Sequence, residues 1–86
     1  MYTSDKIIFE LIEHLKELGL ITFDYDFCDA IGLKKQNIAP IKKGLAHFTA
    51  FHIENICKVY GVNANYIFGF SDKIFLNKSA QKSVQV

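Results

Sequence analysis

Residues 27 to 69 constrain the fold of this chain more than any other segment. They read FCDAIGLKKQNIAPIKKGLAHFTAFHIENICKVYGVNANYIFG. Two short stretches with helical apolar spacing flank a turn that contains Gly32, and Gly44 closes the later stretch. Another helical stretch follows soon after. The pattern predicts two short helices joined by a tight turn, the layout of a helix-turn-helix whose second helix can enter a DNA major groove.

The apolar spacing of the whole chain predicts five helices and no strand. Helix 1 follows a Ser4 cap, stops at Gly19 and buries one face, formed by Ile7, Ile8, Leu11, Ile12, Leu15 and Leu18. The remaining helices are predicted at residues 23 to 31 after a Thr22 cap, between residues 34 and 43, at residues 50 to 60 between Thr49 and Gly61, and at residues 64 to 68 between Asn63 and Gly69.

Pro40 conflicts with a regular third helix. A proline inside a helix lacks the backbone N–H and clashes with the carbonyl four residues back. If the helix starts near Asn37 instead, Pro40 falls in the first turn, where N–H groups have no intrahelical partner. We therefore expect a short or kinked third helix whose leading residues, 34 to 37, are partly unwound.

The chain has the length of one domain at 86 residues. We expect residues 1 to 70 to form the helical domain, with the helix-turn-helix at about residues 23 to 43. Residues 71 to 86 are expected to form a short apolar extension that becomes a loosely ordered tail after Leu76.

The chain carries no signal for a membrane or for export. No apolar run approaches the roughly 18 residues that a transmembrane helix needs, and the first residues lack the basic-then-apolar layout of a signal peptide. Cys28 and Cys57 are isolated, without a CxxC motif. These features predict a cytoplasmic protein.

The net charge of +1 conceals an uneven distribution. Residues 1 to 32 carry seven acids against two lysines, whereas residues 33 to 86 carry eight lysines against two acids. The span from residue 33 to residue 49 has no acid at all. Because a polyanion senses charge only within a Debye length of about 8 Å, this basic span favours a nucleic-acid partner.

The same segment resembles the lambda-repressor/Cro-like, or XRE, family of helix-turn-helix proteins. The resemblance covers about residues 22 to 70 and rests on Phe27-Cys28, Ile31-Gly32-Leu33, Ile38, Ile41, Lys43-Gly44, Ile53, Ile56-Cys57 and the closing Gly61-Val62-Asn63-Ala64-Asn65-Tyr66-Ile67-Phe68-Gly69. It implies a compact, five-helix, all-α domain that binds operator DNA, usually as a dimer. Such a protein would be a small prokaryotic or phage transcriptional regulator, repressor-like in action.

The resemblance also implies which residues meet DNA. The base-reading residues would be Lys35, Gln36 and Asn37, and the phosphate-contacting residues would be Lys34, Lys42, Lys43 and His47. The residue types suit these roles, because glutamine and asparagine can pair with adenine and lysine with guanine or phosphate. Two departures stand out: Asp24 occupies a position where the family often approaches phosphate, and Pro40 can re-aim the reading residues.

Four apolar residues follow the last predicted helix, namely Phe70, Ile74, Phe75 and Leu76. They can fold back as a lid on the first and fifth helices, or they can form a dimer interface. We favour the dimer, because two half-sites about 34 Å apart require two reading heads.

Other classes of function find less support in the sequence. His47 and His52 are five residues apart and the cysteines stand alone, so a zinc site is not expected. No paired carboxylates, nucleophile–base pair or phosphate loop indicates an enzyme, and no cofactor or small-molecule ligand is implied. Two alternatives stay open: a protein-interaction module that has lost DNA affinity, and an antitoxin-type protein that also caps a toxin.

Overall fold

The structure, a computed structural model, describes residues 1 to 76. That part of the chain forms five α-helices, α1 (Thr3–Glu17), α2 (Asp24–Ile31), α3 (Ile38–Lys42), α4 (Ala50–Tyr60) and α5 (Ala64–Ile67), with a 3-10 turn (Lys35–Asn37) directly before α3. The one β-type pairing among these residues is an isolated bridge between Val62 and Phe75. The prediction of an all-α chain is therefore confirmed. The predicted loose tail lies outside the described residues.

A single apolar core joins the helices. Its fully buried members include Ile8, Leu11 and Leu15 of α1, Phe27 and Ile31 of α2, and Ile41, Ile56 and Ile67 of the later helices. Four of the six residues of the predicted α1 face are buried; Ile7 is only half-buried, and Leu18, at the end of the face, is 51% exposed. Leu18 is the C-cap and the chain turns away at Gly19, which has a φ of +76°, so this side chain leaves the buried stripe.

Aspartates rather than hydroxyls set the starts of the first two helices. Helix α1 begins at Thr3, so the predicted Ser4 cap is wrong; the Asp5 carboxylate accepts a hydrogen bond from the Tyr2 backbone N–H at 3.3 Å. A carboxylate in the first turn can satisfy N–H groups that the helix leaves without partners. The start of α1 is therefore decided by Asp5.

Helix α2 shows the same arrangement. It begins at Asp24 after Phe23, one residue later than predicted, and the predicted Thr22 cap is wrong. The Asp26 carboxylate accepts hydrogen bonds from the backbone N–H groups of Thr22 at 3.0 Å and Phe23 at 2.8 Å.

The later helix ends match the sequence predictions closely. Helix α4 has its predicted bounds, its Thr49 hydroxyl accepts a hydrogen bond from the His52 N–H, and Gly61 ends it with a φ of +66°. The Asn63 side chain caps α5, which ends at Ile67, one residue before the predicted end.

Pro40 shapes the third helix as expected. Residues Lys35–Asn37 form a 3-10 turn, and the α-helix proper starts at Ile38. Pro40 is then the third α-helical residue, where a backbone N–H would have no intrahelical partner. The predicted unwinding of the leading residues is confirmed.

Residues 71 to 76 return along the helical domain. The Asn63 N–H donates to the Ile74 carbonyl at 2.7 Å, and the Leu76 N–H donates to the Gly61 carbonyl at 2.9 Å. Ile74 and Phe75 are half-buried against the core. Residues 71 to 76 of the predicted extension therefore pack on the helical domain, as the lid alternative predicts.

Candidate nucleic-acid interface

Exposed basic and amide residues flank α3 on both sides along the chain, and we call them the basic face. The basic face consists of five exposed residues, Lys34, Lys35, Gln36, Asn37 and Lys43. The side chains of Lys34, Gln36 and Lys43 form no ion pair or hydrogen bond with any other residue between 1 and 76. These lysine charges are thus available to a partner from solvent.

The three predicted base-reading residues occupy the 3-10 turn rather than an α-helical turn. With three residues per turn, consecutive side chains point about 120° apart. Lys35, Gln36 and Asn37 therefore point in three directions around the turn, slightly farther apart than the roughly 100° of an α-helix. The Lys35 ammonium lies 5.6 Å from the centre of the Tyr25 ring, which biases it toward α2.

Lys42 sits differently from the other predicted phosphate contacts. Its Nζ lies 3.3 Å from Oδ2 of Asp24 and 5.7 Å from the centre of the Phe9 ring. Oδ1 of Asp24 lies 2.6 Å from Nζ of Lys16. The close contact with Lys16 contributes most to lowering the pKa of the Asp24 carboxyl, and Lys42 adds to it against the opposing effect of burial. Lys42 is thus held among α1, α2 and α3 by its own chain.

His47 is also engaged within the chain. Its Nδ1 lies 2.7 Å from Oδ2 of Asp5, and its ring stacks on Tyr2 with centroids 3.6 Å apart and planes 7° apart. Asp5 is fully buried, and its Oδ1 accepts a hydrogen bond from the Phe48 N–H at 3.0 Å. The predicted phosphate contact at His47 therefore belongs to a cluster that joins α1 to the loop after α3. Sequence reasoning missed this role of Asp5 and Tyr2, since no local pattern pairs them with His47.

Helix α4 holds the turn between α2 and the basic face. Gly32 adopts a φ of +78°, and a Cβ at this position would lie 2.8 Å from Cε2 of Phe51. The Asn55 side-chain amide donates to the Ile31 carbonyl at 3.0 Å, which satisfies an end group of α2. The sequence signalled the glycine turn but not the two α4 side chains that brace it.

A groove of about 960 Å³ runs between α4, α5 and the end of the described chain. Val59, Phe68 and Leu76 line it and are 40 to 53% exposed. An ion pair between Glu54 and Lys58, at 2.9 Å, lies on its rim. The groove is an apolar surface that the described chain leaves open to solvent.

The predicted dimer-interface residues separate into two groups. Ile74 and Phe75 pack half-buried against the core of their own chain. Phe70 is 83% exposed, and Leu76 lines the groove. Only the second pair remains available to a partner.

Within the described residues, the cysteines and histidines do not form a metal-binding cluster. Between residues 1 and 76, no three side chains of the types His, Cys, Asp or Glu lie together as a metal site would require. Cys28 is buried and Cys57 half-buried, and burial raises the pKa of both thiols. A thiol with a raised pKa is a poor nucleophile at neutral pH.

Comparison of this chain with known proteins identifies no relative. Searches with this chain match no family model, no curated protein and no solved structure. Among the described residues, no helix combines the length and apolar character needed to cross a bilayer.

Proposed function

We propose that this chain is a small, sequence-specific DNA-binding regulator of the lambda-repressor-like helix-turn-helix type. The supporting observation is the exposed basic face, of which residues 34 to 37 follow the tight Gly32 turn and lead into α3, while Lys43 follows its end. In helix-turn-helix proteins, the N-terminal residues of the second helix contact base edges in the major groove. Here the 3-10 turn and the start of α3 would take that position.

The residue types on this face divide naturally into two roles. Gln36 and Asn37 can each make paired hydrogen bonds to adenine, and Lys35 can donate to guanine. Lys34 and Lys43 would neutralise phosphates and release counterions, so that binding weakens as salt rises. Lys42 and His47 are engaged within the chain and are secondary candidates.

The proposed regulator acts as a homodimer through the α4–α5 groove. An interface with two-fold symmetry must be complementary to itself. Apolar Val59, Phe68 and Leu76 can pack on their own copies, while Lys58 of one copy can face Glu54 of the other. Sedimentation of the full chain at tens of micromolar tests this step, and a monomer there would contradict it.

DNA binding is tested by fluorescence anisotropy on a random-pool duplex across a salt series. The wild type should bind in a salt-sensitive way, and a Lys34→Glu/Lys35→Glu variant should lose binding. Single variants give a matched comparison: Lys35→Glu should weaken binding strongly, whereas Lys73→Glu, the same charge reversal at an exposed site outside the basic face, should weaken it little.

The second candidate is a protein-interaction module on the same fold. The exposed groove favours it, as do the acids at the start of α2. If folded wild type fails to bind DNA even at low salt, the DNA proposal is wrong and partner pull-downs become the next experiment. Co-purification of a small toxin-like partner would point to the antitoxin variant of this idea.

A further inference from the structure

Lys42 is the one lysine of the acid-free span that its own chain neutralises by an ion pair within the described residues. Its ammonium lies between the Asp24 carboxylate, 3.3 Å away, and the face of the Phe9 ring. Lys42 ends α3, so the contact joins this helix to the first turn of α2. The side chain is still half-exposed, so a phosphate in solution could reach it.

The start of α2 carries two acids of its own. Helix N-termini attract phosphate because their first N–H groups lack partners and the helix dipole is positive there. In this chain Asp26 accepts the N–H groups of Thr22 and Phe23, and Asp24 adds a second negative charge in the same turn. The Asp24 charge is shared by Lys16, whose Nζ lies 2.6 Å from Oδ1, and by Lys42, so a DNA phosphate near this turn would compete with Asp24 for its lysine partners.

We propose that Asp24 restrains DNA binding by competing with phosphate for Lys42, which makes it an affinity-setting residue of the interface. The inference rests on the proposed function. A phosphate that pairs with Lys42 must either displace the carboxylate or lie beside it, and both cost electrostatic free energy. The restraint acts on the sequence-independent part of binding, so base contacts decide a larger share of the affinity.

The test compares Asp24→Asn with the wild type in the same salt series. Asparagine keeps the size of the side chain and removes its charge. We expect the affinity for random duplex to rise about three- to tenfold at low salt, and the slope of log K against log salt to steepen by about one, as one more lysine releases a counterion. Asp29→Asn is the matched control, because Asp29 is an exposed acid of the same helix with no ion-pair partner among the described residues. It should raise the affinity much less.

A double variant tests whether the effect passes through Lys42. In a Lys42→Gln background, Asp24→Asn should lose the part of its affinity gain and of its change in salt slope that passes through Lys42. Any gain that remains belongs to Lys16, whose Nζ lies 2.6 Å from Oδ1 of Asp24. A merely structural role of Asp24 would not alter the salt slope in this selective way. Circular dichroism establishes that each variant is folded.

The outcomes separate this inference from the proposed function. If the wild type binds DNA and folded Asp24→Asn binds no more tightly, the restraint by Asp24 is refuted while DNA binding stands. If only Asp24→Asn binds, the restraint is supported and the native chain is shown to be held below useful affinity. If neither binds at low salt, both proposals fail.

Discussion

The Oδ2 atom of Asp5 lies 2.7 Å from Nδ1 of His47, although 42 residues separate them along the chain. Asp5 is fully buried in the first turn of α1, and the same carboxylate also receives the backbone N–H groups of Tyr2 and Phe48. One side chain thus caps a helix and anchors the loop that follows α3. The position of the basic face relative to α1 depends on this anchor.

Replacing Asp5 should destabilise the fold strongly. Asp5→Leu removes the acceptor of three hydrogen bonds and leaves the Phe48 N–H buried without a partner. We expect a loss of about 2–4 kcal/mol in the free energy of unfolding, measured by urea denaturation. Asp29→Asn, at an exposed site, should change it by less than about 0.5 kcal/mol. Equal losses in the two variants would refute the anchoring role of Asp5.

A comparison of Gly19 with Gly32 distinguishes the cost of a left-handed backbone from the cost of a steric contact at the turn. Gly19 and Gly32 have φ values of +76° and +78°, but only Gly32 faces a neighbour, the Phe51 ring. Both alanine variants should lose about 1–2 kcal/mol from the left-handed backbone, with a further loss in Gly32→Ala. Thermal melts in a Phe51→Ala background provide the check. If the difference between the two glycine variants persists there, contact with Phe51 is not its cause.

The bond from Asn55 to the Ile31 carbonyl should contribute measurably to stability. Asn55→Asp replaces the amide donor with a carboxylate that faces the carbonyl oxygen. We expect unfolding to become easier by about 1–3 kcal/mol. The control is Asn65→Asp, in the first turn of α5, where an acid is favoured by the helix dipole. Chemical denaturation should show that the two variants change the free energy of unfolding in opposite directions or by clearly unequal amounts. Equal changes would show that loss of the Asn55 hydrogen bond is not the cause.

The ion pairs of Asp24 should appear in the pH dependence of stability. Contact with Lys16, and secondarily with Lys42, lowers the pKa of Asp24 in the folded chain. Its contribution is therefore present above the ordinary carboxyl pKa of about 3.9 and is lost as pH falls through the lower, folded value. The pair is partly exposed and screened, so the effect should stay below about 1 kcal/mol.

The melting temperatures of wild type and Asp24→Asn should accordingly differ near pH 7 and converge below about pH 4. A difference that stays constant down to pH 2 would show that charge pairing is not its source. Repeating the pH 7 melts in high salt should shrink the difference, since salt screens exposed pairs.

Local patterns predicted most of the helical framework. Thr49 and Gly61 marked the bounds of α4, and Pro40 marked the unwound start of the third helix, because caps, glycine stops and prolines act within one turn. Besides the exposed Leu18 and the earlier end of α5, the errors lie at the starts of α1 and α2. There aspartates two residues into the helix displaced the hydroxyl caps that the sequence suggested.

The candidate interface was only partly predictable. Its residue types and its lack of acids are visible in the sequence, but the pairing of each charge is not. Lys42 meets Asp24 from 18 residues away, and His47 meets Asp5 from 42 residues away. Such contacts depend on how helices pack, which no local spacing encodes.

The sequence by itself determined the helical class, the tight turn at Gly32 and the basic character of residues 33 to 49, because these follow from apolar period, glycine and charge along the chain. Only the tertiary structure decided which of those charges are paired within the chain. The fold brings the Lys42 side chain of α3 to the Asp24 carboxylate of α2 and leaves Lys34 and Lys43 free of ion pairs among the described residues. Charge pairing across helices is a property of distance in space, which the order of residues does not specify.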